Sequence, residues 1–261
     1  MNTNQGDQLK SLLFCIICIG LFKSSHKRIF KGHVFVDTLV YETGSPDDKP
    51  SNISKEQFDE IIAIAQNVYD EIIEEENLKP LKITGYWDST VVNAYMNEQY
   101  QINLVSISGA LARRPEISPE GLALIVCHEI GHAYGGKPER RAPLFLASVE
   151  GQADYYGAGV CLEKVLKYMA SSDQYLETDY MRRSCQKVER SEVCEQILVS
   201  GQSAGNFLAN LKEEPLPDYE TPDETRVRRT LRSYPKKVQC RLDTYFNAAL
   251  DLERPRCWFR R

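Results

Sequence analysis

The chain has 261 residues, of which 42% are hydrophobic and 26% charged, with 32 basic against 37 acidic side chains for a net charge of −5. This is an ordinary globular balance that excludes disorder and collagen, and its acidic sign argues against nucleic acid as a partner, because no surplus of cations is there to neutralise phosphates. No apolar run reaches the roughly 20 residues of a membrane-spanning helix, so a polytopic membrane protein is excluded.

The longest apolar run is at residues 12–22 (LLFCIICIGLF), preceded by Lys10. It has the length of a signal-peptide core and is too short to span unaided, so residues 1–35 read as a signal or membrane-anchor segment. Against simple export, no small-residue cleavage site beyond Ser24 and Ser25 follows, and Lys23, Lys27, Arg28 and Lys31 flank the run. A buried or interfacial segment is the alternative. Beyond it stand Cys127, Cys161, Cys185, Cys194, Cys240 and Cys257. That even number allows three disulfides and favours an oxidising compartment, so the chain is expected to be secreted, periplasmic or membrane-anchored. Local pairing suits Cys185 with Cys194 and Cys240 with Cys257, whereas Cys127 and Cys161 could equally be small buried hydrophobes within helices.

Along the chain, alternation at Val34, Val36, Thr38 and Val40 suggests a strand over 33–41, and 44–52 (GSPDDKPSN) is a connector. Ser54 and Gln57 form a capping box, followed by apolar residues at helical spacing from Phe58 to Ile73. Three strands are expected at 81–87, 91–95 and 101–107, most simply as an antiparallel sheet. Ser118-Pro119-Glu120 opens a helix to about Tyr134 that Gly135-Gly136 stops. A basic loop at 137–141, read as a solvated turn that could favour acidic substrates, precedes a helix from Pro143 to about Met169. Further helices are expected at 192–211, 224–233 and 238–250.

His128-Glu129-Ile130-Gly131-His132 is an H-E-x-x-H motif. On a helix its two histidines, four apart, project from one face and can bind one zinc ion. With four histidines in the chain, a chance match is expected only about 0.005 times. A catalytic zinc site takes three protein ligands and leaves the fourth position to water, and Glu150 on the next helix is the candidate third ligand. Asp154, four residues on, shares its face and can accept the other ring N–H of a ligand histidine.

These residues resemble the gluzincin metallopeptidases of the HtpX and CAAX prenyl endopeptidase type. Asn93-Ala94-Tyr95 is similar to that family's N-A-[FY] segment, 102–111 (INLVSISGAL) to its substrate-side strand and glycine turn, and the H-E-x-x-H and E-x-x-A-D helices follow in order. The likeness covers about residues 54–170. Thr221-Pro222 and Arg226-Val227 resemble the family's H-P and R-I elements, with threonine in place of the histidine. The resemblance implies an α+β, zincin-like domain over 36–261, mainly helical with a small antiparallel sheet packed against the metal-binding helix. It also implies hydrolysis of peptide bonds in a protein or peptide substrate, and the soluble or singly anchored branch is the closer comparison.

On this reading one Zn2+ per chain is held by His128, His132 and Glu150, with Glu129 as general base. The developing oxyanion needs a second electrophile, for which Tyr155, Tyr156 and Arg226 are the candidates. Residues 101–107 could be an edge to which an extended substrate adds, or simply a central core strand. Two other classes stay open: a catalytically silent zinc-binding chaperone or assembly factor of the envelope, and a disulfide-stabilised binding module. Membrane association would run through residues 12–22.

Overall fold

The computed structural model describes residues 52–141, 145–170 and 177–261. The apolar run, the strand expected at 33–41, the connector at 44–51 and Pro143 lie outside the described residues.

Helix α1 (Lys55–Glu76) starts where its sequence says it should. The Ser54 hydroxyl accepts from the Gln57 backbone N–H and the Gln57 side chain accepts from the Ser54 N–H, satisfying two of the donors that a helix start leaves unpaired. Phe58, Ile61, Ala65, Val68 and Tyr69 form its buried stripe, and Asn77 ends it in the left-handed conformation that asparagine tolerates. Strands β1 (Leu81–Tyr86), β2 (Ala94–Gln99) and β3 (Ile102–Ser108) follow. The sheet order is β1-β3-β2. It is mixed, not antiparallel: β2 and β3 form an antiparallel hairpin, but β1 runs parallel to β3. The α1-to-β1 turn sends β1 along the far side of β3, and the hairpin turns on Tyr100 and Gln101, both at positive φ. That is the two-residue turn geometry that matches strand twist, carried here by residues that do not announce it. Consequently β3 is the central strand and β1 and β2 are the edges.

The short α2 (Gly109–Ala112) leads to α3 (Pro119–Tyr134), capped by the Ser118 hydroxyl on Gly121 N–H with Pro119 in its first turn. Every residue of α3 from Pro119 to His132 is buried. A helix covered on all sides is the centre of a fold, and here the sheet and α1 pack against it from one direction and the later helices from another. The described residues 145–149 are not helical, against the expectation of a helix there: β4 (Glu139–Arg141) and β5 (Leu146–Ser148) pair antiparallel, and the Val149 N–H returns to Pro138 O. The hairpin satisfies backbone groups that a helix of this segment would have satisfied along its own axis. Helix α4 begins only at Glu150 (Glu150–Tyr156), passes through a π-helical turn (Gly157–Cys161) and continues as α5 (Leu162–Leu166).

Beyond lie α6 (Asp179–Cys185), α7 (Ser191–Lys212) and α8 (Val238–Ala249). The helix expected at 224–233 does not form. Val227 N–H donates instead to Arg256 O and Leu231 N–H to Trp258 O, pairing this segment with the C-terminal tail. Three disulfides, Cys127–Cys161, Cys185–Cys194 and Cys240–Cys257, use all six cysteines beyond residue 31 and point to an oxidising compartment. Among the described residues no helix is long and apolar enough to cross a membrane. The architecture is α+β and mainly helical.

Candidate metal centre

Two helices bring the site together, and a glycine lets them approach. A Cβ on Gly131 would lie 2.7 Å from Ala153 O, so only glycine admits the α4 backbone this close to the H-E-x-x-H turn. The His128 and His132 rings stand edge to face on α3 with centroids 4.7 Å apart. Each ring is oriented through Nδ1: His128 by Asp154 Oδ1 at 2.7 Å and His132 by the Ser148 carbonyl at 2.9 Å. A carbonyl only accepts, so His132 carries a proton on Nδ1 and presents Nε2 to the site. Both Nε2 atoms converge on one carboxylate oxygen, Glu150 Oε2, at 3.4 and 3.5 Å. Glu150 cannot swing away, since its other oxygen accepts from Arg140 Nη2 at 2.7 Å.

Asp154 is fixed in turn. Arg241 of α8, 1% exposed, donates Nε to Asp154 Oδ2 at 2.8 Å and Nη2 to Oδ1, and the Tyr245 hydroxyl donates to Oδ1 at 3.1 Å. His128, Glu129, His132, Glu150 and Asp154 are all fully buried. In such surroundings charge must be balanced locally. Burial works to lower the His128 pKa, but the Asp154 charge, the hydrogen bond that Asp154 accepts and the nearby Glu150 carboxylate override it and raise the imidazole to about 9. Burial opposes ionisation of Glu150 too, yet the two histidines hold it well below the usual carboxylate range. Burial raises the Glu129 pKa, moderated by the same two rings.

His128, His132 and Glu150 could therefore hold a metal ion, their ligand atoms lying within 4.8 Å of one another. The donor set fits one: Glu150 Oε2 and both oxygens of Glu129 are buried without a hydrogen-bond partner, a cost that a cation and its water would relieve. No protein-family model, curated protein or solved structure matches the chain.

The structure thus brings His128, Glu129, His132, Glu150 and Asp154 into one cluster. Of the candidate electrophiles, Tyr155 donates to Leu252 O, the Tyr156 hydroxyl accepts from Tyr69, and Arg226 is exposed. Residues 101–107 are central rather than an edge. Asn93 and Tyr95 belong to a separate cleft of about 680 Å³ at the open end of the sheet, lined also by Lys55, Asp59, Trp87 and Ser108. Arg140, Arg241 and Tyr234 escaped sequence reasoning. Arg140 lies in the segment read as a solvated basic turn, and Arg241, 113 residues from His128, had only Tyr245 one turn further on as a signal.

Proposed function

We propose that the chain is a zinc-dependent metalloendopeptidase. The observation that carries this reading is the convergence of both imidazole Nε2 atoms and Glu150 Oε2 beside a glutamate whose two carboxylate oxygens are buried and make no hydrogen bond. A zinc ion held by His128, His132 and Glu150 would supply a water acidic near pH 7 and would polarise a peptide carbonyl. Arg140 keeps Glu150 in place and Asp154, locked by Arg241, keeps His128 in its tautomer. Glu129 takes a proton on a carboxylate oxygen and returns it to the leaving amine. Burial raises its pKa and so makes it a stronger base than an exposed glutamate. Secretion or anchoring in an oxidising envelope compartment completes the reading.

The complete burial of all five side chains favours a second reading, a zinc-binding envelope chaperone or assembly factor in which the site is structural. Incubation of the zinc-loaded chain with a mixed peptide library beside Glu129→Gln separates the two. Cleavage by the wild type alone supports the enzyme. One zinc per chain with both proteins silent supports the structural role.

A further inference from the structure

The electrophile left open by the sequence has a candidate that the fold supplies from a distant segment. Among the described residues, Tyr234 carries the single hydroxyl that is buried without a hydrogen-bond partner. Its ring is partly exposed, but the oxygen is sealed. Its electrostatic neighbours are, in falling order, Glu150, Arg241, Glu129 and Arg140, which are groups of the metal centre. It donates to none of their oxygens, although Glu150 Oε2 and both Glu129 oxygens lack partners. The donor is therefore held beside the centre and spent on nothing in the protein.

The support around it is rigid. Pro235 follows and restricts Tyr234 to extended backbone. The ring lies over the Arg241 guanidinium at 5.6 Å and near the Lys212 ammonium at 5.9 Å. Arg241 is the same residue that clamps Asp154, so one side chain positions both a ligand's partner and this phenol. Several other polar groups already have partners: Arg140 Nη2 donates to Glu150, Arg241 and Tyr245 donate to Asp154, Tyr155 donates to Leu252 O, and the Tyr156 hydroxyl accepts from Tyr69. A buried unsatisfied hydroxyl costs stability, so a position that keeps one calls for a reason.

We propose that Tyr234 is a catalytic residue whose hydroxyl donates a hydrogen bond to the oxyanion that develops on the scissile carbonyl. This rests on the peptidase reading. The phenol keeps its proton throughout, so no bond is made or broken at Tyr234; its role is to meet negative charge that is larger in the transition state than in the bound peptide.

The test is Tyr234→Phe beside wild type and Glu129→Gln, all zinc-loaded full chains. The readouts are zinc content, Tm, kcat and KM on a cleaved peptide, and inhibition by a peptide phosphinate, whose tetrahedral oxygen mimics the oxyanion, against the cleaved product peptide. Phenylalanine fills the same space and removes only the unpaired oxygen. Zinc should stay at one per chain and Tm should hold or rise. Loss of one such donor should lower kcat about 10²–10³-fold and weaken the phosphinate by a similar factor, with KM and product binding within about threefold. Unchanged kcat and phosphinate inhibition would overturn the proposal, showing that the ring only fills space. A fall in Tm or in zinc content would overturn it too, by giving the hydroxyl a structural task. A wild type as silent as Glu129→Gln sinks the peptidase reading itself, and the proposal with it.

Discussion

Helix α3 is packed from two directions by opposite kinds of chemistry. Toward α1 and the sheet the buried side chains are chiefly apolar, among them Phe58, Ile61, Ala65, Ile83, Met96 and Val105, and the buried polar groups of that region, Asn103, Ser106 and Ser108, are neutral apart from Arg113, which donates to the Trp87 and Ser89 carbonyls. Toward α4 and α8 it meets Glu150, Asp154 and Arg241, all ionisable and all buried. The first arrangement stabilises by removing apolar surface from water, about 1.5–3 kcal/mol for each large side chain. The second returns little, because desolvation of buried ions offsets most of their attraction. Apolar packing on one side thus holds a costly ionic cluster on the other in a fixed geometry, and the fold tolerates that cluster for what it can bind.

Removing Arg241 should break this balance most sharply. Arg241→Met leaves Asp154 buried and uncompensated, a loss of about 3–5 kcal/mol in urea unfolding with the disulfides intact. Asp154→Leu combined with Arg241→Met should recover most of it, while zinc affinity stays reduced. Phe58→Ala on the apolar side, where the ring is fully buried against Trp87 at 5.4 Å, should cost a comparable 3–5 kcal/mol by the general cost of large cavities, about the same in urea, yet leave zinc affinity unchanged. If both variants lose zinc equally, the two regions are not separable.

A smaller effect concerns pH. Burial, aided by the charges of Asp223 and Asp218 and opposed by hydrogen bonds from Gln239 and the Asp223 backbone, raises Asp243 to about 6. A carboxyl whose folded pKa lies above its unfolded value favours the fold while protonated. Its contribution is full below pH 3.8 and is lost as pH rises through about 6, amounting to roughly 2–3 kcal/mol as an upper bound. Asp243→Asn should flatten the stability profile between pH 4 and 6, and an unchanged slope would show that another group sets it. Least of all, Ser54→Ala should cost about 1 kcal/mol in thermal unfolding by removing the α1 cap.

What could be read from the sequence was local. The capping box at Ser54 and Gln57, the Ser118-Pro119 start of α3 and the paired histidines each state their structure within a few residues. The mixed sheet was not legible, because parallel pairing of β1 with β3 depends on which side of β3 the chain passes. Residues 224–233 carry a helical rhythm, but their backbone partners lie in the C-terminal tail, out of reach of any window. The same distance hid half of the centre. The motif announces His128, Glu129 and His132, whereas Arg241 and Tyr234 reach it through tertiary packing, and Arg140 through a hairpin hidden in a charged run.

The Cys127–Cys161 bridge closes a loop with a sequence separation of 34, and His128, Glu129, His132, Glu150 and Asp154 all lie inside it. When the oxidised chain unfolds, these groups are not dispersed along a free polymer; they remain confined to one ring at high effective concentration. The ring removes about 4 kcal/mol of loop entropy from the unfolded chain and also leaves it some affinity for metal. Because a metal stabilises the fold only by the difference between its native and unfolded affinities, added zinc should raise Tm less for the oxidised chain than for one lacking this bridge.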